Sequence, residues 1–172
     1  MSIARSAKML RVDQAGEYGA TRIYAGQMAV MGSRAPHSSA IAAMAAQEAD
    51  HRQRFDALIA ERGVRPTVLQ PLWSVAGFAL GAATALLGPE AAMACTAAIE
   101  QEIDLHYTAQ LDELADGSDP ELAGMIADFR DDEREHLETA MAAGAEKAPA
   151  YPLLSGAIRM GCRMAIRLSE RI

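Results

Sequence analysis

Glutamate and histidine recur in this chain in two matched sets. Glu17 is followed about thirty residues later by Glu48 and His51, in the segment QEADH, and Glu100 is followed at similar distance by Glu133 and His136, in DEREH. Residues three apart on a helix share a face, so each Glu-x-x-His aims a carboxylate and an imidazole at one point. A dinuclear iron or manganese site in a four-helix bundle needs one Glu from each of two helices and a Glu-x-x-His from each of the other two. Glu17, Glu48, His51, Glu100, Glu133 and His136 supply that set.

Such pairs are common on solvated helix surfaces, so the deciding question is which face they occupy. In the second helical segment Ile41, Met44, Glu48, His51, Phe55 and Leu58 step by three and four, which puts Glu48 and His51 inside the apolar stripe. The fourth segment repeats this with Leu122, Met125, Phe129, Glu133, His136 and Ala140. The third does so with Met93, Ala97, Glu100, Ile103, Tyr107, Leu111 and Leu114, and the first, less regularly, with Leu10, Glu17, Tyr24, Met28 and Met31. Four ionised, unpaired carboxylates in a bundle core would cost many kcal/mol, and crowding would raise the pKa of some of them. Two divalent cations remove that conflict.

The breaks that separate these stripes define the elements. Gly32, Pro36 and the serines of GSRAPHSS end a helix running from about Arg5 to Met31 and start one from Ser38 to about Arg62. Gly63 and Pro66 end the second. Pro89 opens a third that reaches about Ala115, and Asp119 before Pro120 caps a fourth that reaches about Ala143. A last helix is expected over Leu153 to about Arg171. The chain therefore reads as all-α, a single ferritin-like four-helix domain over residues 1–172, with no convincing strand.

Two segments lie outside the ligand helices. Residues 66–89 carry no charge before Glu90 and include Trp73, Phe78, Leu80, Leu86 and Leu87, but Pro71, Gly77, Gly81 and Gly88 leave an apolar run short for a membrane span. A hydrophobic crossover helix fits, since a ferritin-like bundle needs one long connection there. Gly77 and Gly81 suggest close helix packing. In residues 151–172, Arg159, Arg163, Arg167 and Arg171 recur every four residues among Leu154, Ile158, Met164 and Leu168. A basic amphipathic helix of this kind suits the surface of an anionic membrane, so peripheral, monotopic contact is expected. Pairing of the arginines with acidic neighbours is the alternative.

Composition narrows the classes further. Half of the 172 residues are apolar with only 5% aromatic, and the net charge of -7 argues against nucleic acid as a partner. Cys95 and Cys162 lack the spacing of a zinc or redox motif and are expected to be buried thiols. No GxGxxG motif follows a strand.

With LRVDQAGEYGATRIYAGQ, EADH, ACTAAIEQEIDLHYTAQL, FRDDEREH and APAYPLLSGAIRMGCRMAIRLSERI in view, the chain resembles the demethoxyubiquinone hydroxylases of ubiquinone biosynthesis along nearly its whole length. The resemblance implies a di-iron monooxygenase that hydroxylates the ring of a polyprenylated quinone precursor with O2. It implies two iron ions per chain, cycling between ferrous and ferric, on the six residues named above. Reduced nicotinamide as electron donor rests wholly on the resemblance. So do a homo-oligomer and a ubiquinone-biosynthesis complex as partners beside the membrane and the quinone. Lack of a eukaryotic targeting extension implies a bacterial protein on the cytoplasmic side of the inner membrane.

In that family a pair matching His106 and Tyr107 is associated with electron delivery or substrate positioning. Hydrogen bonding to a ligand carboxylate is the plainer role. Glu48 and Glu133 are expected to bridge the two metals, Asp13 to orient His51 or His136, and Glu102, Asp104, Asp131, Asp132 and Glu135 to face solvent. An iron-storage ferritin and a soluble di-metal peroxidase or catalase share the ligand set. Neither needs the apolar crossover or the basic last helix.

Overall fold

The computed structural model of the chain describes residues 3–171. Apolar spacing of three and four produces six helices: α1 Ile3–Met31, α2 Ser38–Glu61, α3 Gln70–Leu86, α4 Pro89–Leu114, α5 Pro120–Ala142 and α6 Tyr151–Ser169. A 3-10 turn at Ala145–Lys147 precedes α6, and no strand occurs among the described residues. The architecture is the expected ferritin-like bundle. Short turns make α1/α2 and α4/α5 antiparallel neighbours, and α3 occupies the long crossover between the two pairs.

The ends of the helices follow local chemistry. Asp119 accepts from the Leu122 backbone N–H at 3.2 Å, with Pro120 in the first turn, so α5 starts where a side-chain cap and a fixed φ coincide. The same carboxylate pairs with Arg62 at 2.6 Å, tying the end of α2 to the start of α5. Gly144 turns the chain after α5 at φ 88°, a conformation that a Cβ disfavours.

Every residue of the α2 and α5 stripes is buried, Glu48, His51, Glu133 and His136 included. Leu111 is the one member of the α4 stripe that is only half-buried. In α1 the expectation fails at its end: Met28 is exposed and Met31 half-buried. The cause is that α1 is covered by α2, α3 and α4, so Gln14 meets Asp56 of α2, Asp13 meets His106 and Gln110 of α4, Gln27 meets Ala92 of α4, and one apolar stripe no longer describes the helix. The α1/α3 contact is close. A methyl group on Gly81 would overlap the Ile23 carbonyl, and one on Gly26 would overlap that of Phe78. The Gly77–Gly81 spacing therefore does mark helix packing.

α6 returns along α4. Its arginines do not form one free stripe: Arg159 and Arg163 reach Glu102 at 2.5 and 2.8 Å, and Glu102 is buried instead of facing solvent. A four-residue step advances around the helix by more than a full turn, so the first two arginines face α4 while Arg167 and Arg171 stay exposed. Trp73 is likewise turned inward, its indole N–H donating to Ser169 Oγ at 3.0 Å, which fastens α3 to α6. Among the described residues no helix is long and apolar enough to cross a membrane.

Candidate metal centre

The four bundle helices bring the six side chains together. One ligand atom from each of Glu17, Glu48, His51 and Glu133 lies within 4.8 Å of the others, and Glu48, Glu100, Glu133 and His136 form a second such group. Glu48 and Glu133 belong to both, the position required of carboxylates that bridge two ions. Both imidazoles turn Nδ1 inward. His51 Nδ1 stands 3.3 Å from Glu133 and 3.6 Å from Glu17, and His136 Nδ1 3.2 Å from Glu133 and 3.3 Å from Glu48.

The donor set fits a pair of cations. Glu17 Oε2, both oxygens of Glu48, Glu100 Oε2, Glu133 Oε1 and His51 Nδ1 are buried without a hydrogen-bond partner. Native interiors rarely leave such atoms unsatisfied, and here they converge on one place. Burial, and then the charge of Glu133, pushes the Glu48 and Glu100 carboxyls well above their ordinary range; burial also raises Glu133, partly offset by the His51 imidazole beside it. Burial pulls His51 down, yet the carboxylates of Glu133 and Glu17 close to its Nδ1 outweigh that and carry it up to about 10. Without cations this is a site of crowded, proton-hungry carboxylates. Two divalent ions would hold all four as anions.

Asp132, expected to face solvent, and Gln47 hold the outer edges of the imidazoles. His51 Nε2 bonds Asp132 Oδ2 at 2.9 Å, and His136 Nε2 bonds Gln47 Oε1 at 3.0 Å. These contacts place the ring proton on Nε2 and leave the Nδ1 lone pair for a metal. Asp132 and Gln47 each immediately precede the glutamate of a Glu-x-x-His, and each serves the histidine of the other helix. Asp132 is thus not a purely solvated side chain, and Asp13 does not reach either ligand histidine. It bonds His106 instead, at 3.0 Å. The His51 ring also stacks on Phe129 at 4.0 Å, which limits its rotation.

A second crossed arrangement concerns the lone glutamates. Tyr107, two turns beyond Glu100, donates its hydroxyl to Glu17, and Tyr24, two turns beyond Glu17, donates to Glu100 Oε1 at 2.8 Å. Both tyrosines are buried, and burial together with the facing carboxylates pushes their pKa well above 10, so both remain donors. Tyr24, expected as a core residue, is also a contact of the site. His106 lies half-buried beside Tyr107, with ring centroids 6.0 Å apart.

Glu17 and Tyr107 also reach the wall of a cavity of about 600 Å³ between α1, α3, α4 and α6. Its other walls are mostly apolar: Ile23, Leu80, Ile99, Ile103, Ile158 and Ile166. The glycines that let α3 lie close on α1 and the inward Trp73 shape it. Cys162 lines it, and burial pushes that thiol up to about 12, as it does Cys95.

An all-α bundle carrying two Glu-x-x-His motifs and two lone glutamates on converging faces defines a four-helix di-metal carboxylate protein. Comparison with known proteins is more specific. Residues 4–169 match the family described as ubiquinone biosynthesis protein COQ7, and the chain belongs to that family. It is 56% identical over 165 residues to the 3-demethoxyubiquinol 3-hydroxylase of Rhodospirillum rubrum, covering 96% of this chain and 77% of that one. It is 52% identical over 177 residues to the human mitochondrial NADPH-dependent 3-demethoxyubiquinone 3-hydroxylase, covering 99% and 81%. The Caenorhabditis elegans protein of the same description is 44% identical over 169 residues, covering 96% and 89%.

Proposed function

We propose that the protein is a di-iron monooxygenase that hydroxylates the ring of a polyprenylated demethoxyubiquinol in ubiquinone biosynthesis. The observation that carries this reading is the junction of two features at Glu17 and Tyr107: a dinuclear donor set and an apolar cavity large enough for a quinol ring and the start of its tail. An iron store or a soluble peroxidase would have no use for that cavity.

Glu17, Glu48, His51, Glu100, Glu133 and His136 would hold two irons, which when bound supply binding and two-electron reduction of dioxygen. The chain's own residues do the rest. Tyr107 and Tyr24 fix the orientation of Glu17 and Glu100, the two carboxylates held by one donor group each. The apolar walls exclude water from the ring and bind it beside Glu17. Cys162 remains a thiol at neutral pH and so does not attack an electrophilic quinone. Reduced nicotinamide as donor is part of the proposal, supported by the description of the human relative. A bacterial setting is supported by the likeness to the R. rubrum protein.

The test is turnover of iron-loaded protein on a short-chain demethoxyubiquinol under ¹⁸O₂. Product carrying one ¹⁸O on the ring is expected; consumption of dioxygen with no labelled product would overturn the reading.

Membrane contact belongs to the same proposal. α3 and α6, joined at Trp73 and Ser169, leave Val75, Leu86, Leu153, Met160 and Met164 exposed. Exposed apolar side chains on helices that wall a prenyl-sized cavity suit entry of substrate from lipid. Leu86→Ser with Leu153→Ser should weaken binding to anionic vesicles at every salt concentration. Arg167→Glu with Arg171→Glu should weaken it at low salt only, each arginine contributing about 1 kcal/mol near the surface. Both variants should keep their activity on a water-soluble quinol. Vesicle binding unchanged in the serine variant would remove α3 and α6 as the contact.

A further inference from the structure

The hydroxylation proposed above takes up a proton from outside the cavity. A ring C–H and O2 yield a ring C–OH and water, with two electrons and two protons taken up; reduced nicotinamide delivers the electrons and one proton's equivalent as hydride, and solvent must deliver the rest. The cavity walls are largely apolar, and in the proposal above substrate enters it from lipid, so protons from the aqueous side need a polar side chain that opens on both sides of the wall.

His106 is such a residue. A second pocket, of about 190 Å³ and lined in part by Arg5, Lys8, Gln110, Glu113 and Glu170, lies beside the cavity, and among the described residues only Val12 and His106 line both spaces. Valine cannot carry a proton. Asp13 is 2% exposed and also lines the cavity. Its Oδ1 is 3.0 Å from His106 Nε2 and accepts from Gln110 Nε2 at 2.8 Å, and its Oδ2 has no hydrogen-bond partner.

We infer that Asp13 positions His106 in the wall and that the two form a proton relay from the polar pocket to the quinol cavity. A proton taken up by the imidazole at its other nitrogen lets the Nε2 proton pass to the Asp13 carboxylate. Asp13 then releases a proton into the cavity and is again a carboxylate, while the imidazole is left neutral with its proton on the outer nitrogen and regains the starting tautomer by exchange with water before the next transfer. No net charge stays in the wall. Burial, the largest influence on Asp13, favours its protonated form, while its bond to His106 opposes that. The other charged groups facing this point are committed elsewhere. Arg5 pairs with Glu113 at 2.6 Å and Lys8 with Glu170 at 3.3 Å on the outer side, while Tyr107 and Glu17 bond each other on the inner side.

The relay depends on the function proposed above, and the experiment separates them. Asp13→Asn, nearly the same size, should keep two irons and an unchanged KM for a short quinol, while kcat falls roughly 100-fold and gains a larger effect of D2O. His106→Asn should lose a similar factor, and added imidazole should restore much of it. Asp13→Asn in the His106→Asn background should cost little more, but should abolish that rescue, because Asp13 acts through the imidazole. Wild-type kcat in Asp13→Asn, or losses that multiply in the double variant, would overturn the relay alone. Absence of labelled product from the unaltered protein would overturn both. Should Asp13→Asn fail to hold iron, imidazole rescue of His106→Asn still decides: no rescue would overturn the relay.

Discussion

Glu133→Ala or Glu48→Ala should strip both irons from the chain and abolish hydroxylation, whereas Glu17→Ala or Glu100→Ala should leave one iron-binding group intact. The difference follows from membership. Glu48 and Glu133 contribute to both four-residue groups, and Glu17 and Glu100 to one each. Loss of a shared carboxylate weakens both groups at once and leaves each ion two carboxylates and one imidazole, fewer hard oxygen donors than tight binding of a ferrous ion needs. Loss of Glu100 leaves Glu17, Glu48, His51 and Glu133 unchanged. Iron determined per folded chain should therefore fall toward zero in the first pair and toward one in the second. Retention of two irons and full activity in Glu133→Ala would refute the assignment of the centre.

Glu48, His51, Glu100, Glu133 and His136 were legible as candidate ligands because each lies in a helical period that nothing else interrupts, whereas Glu17 lies in the less regular α1. Glu48 lies between Met44 and His51 in a stripe whose every residue is buried, and the same holds for Glu133 in α5. α1 was harder to read. It touches α2, the crossover and α4, where Asp13 and Gln27 find their partners, so such polar residues are buried and no single period survives. The basic stripe of α6 misled for a related reason. Four-residue spacing resembles a continuous face, but Glu102 on α4 takes Arg159 and Arg163, and a buried acidic partner on another helix leaves no trace in the local pattern.

The contacts around the ligands were hidden by distance along the chain. Asp132 and Gln47 each directly precede a motif glutamate, and that repetition is visible in QEADH and DEREH. Its meaning appears only when α2 faces α5 and each residue meets the other helix's histidine. Likewise Tyr24 and Tyr107 each follow a lone glutamate by seven residues, a spacing that places them on its face without saying which carboxylate they serve. The bundle's approximate two-fold arrangement answers it by crossing them.

Removing iron should make stability fall as pH rises, and restoring it should suppress that dependence. In the metal-free chain Glu48, Glu100 and Glu133 have native pKa values raised above 4.5, chiefly by burial. Above pH 4.5 the native state therefore holds protons that the unfolded chain has released, so its stability is largest on the acid side and declines as pH climbs through the raised values. His51 acts in the same sense. Its pKa rises from 6.5 to about 10, so its contribution is complete below pH 6.5 and is lost as pH approaches 10. His136, lowered chiefly by burial, opposes this only at pH values near and below 6.5. Bound iron holds the carboxylates as anions and the imidazoles neutral, which removes the native-state protons and adds the stabilisation of a ligand that binds only the folded chain. Melting temperatures of metal-free and anaerobic ferrous protein, measured from pH 5 to pH 9, should therefore diverge as pH rises. Parallel curves would mean that the carboxylates already ionise freely in the metal-free bundle, and that water, not cations, satisfies the buried oxygens.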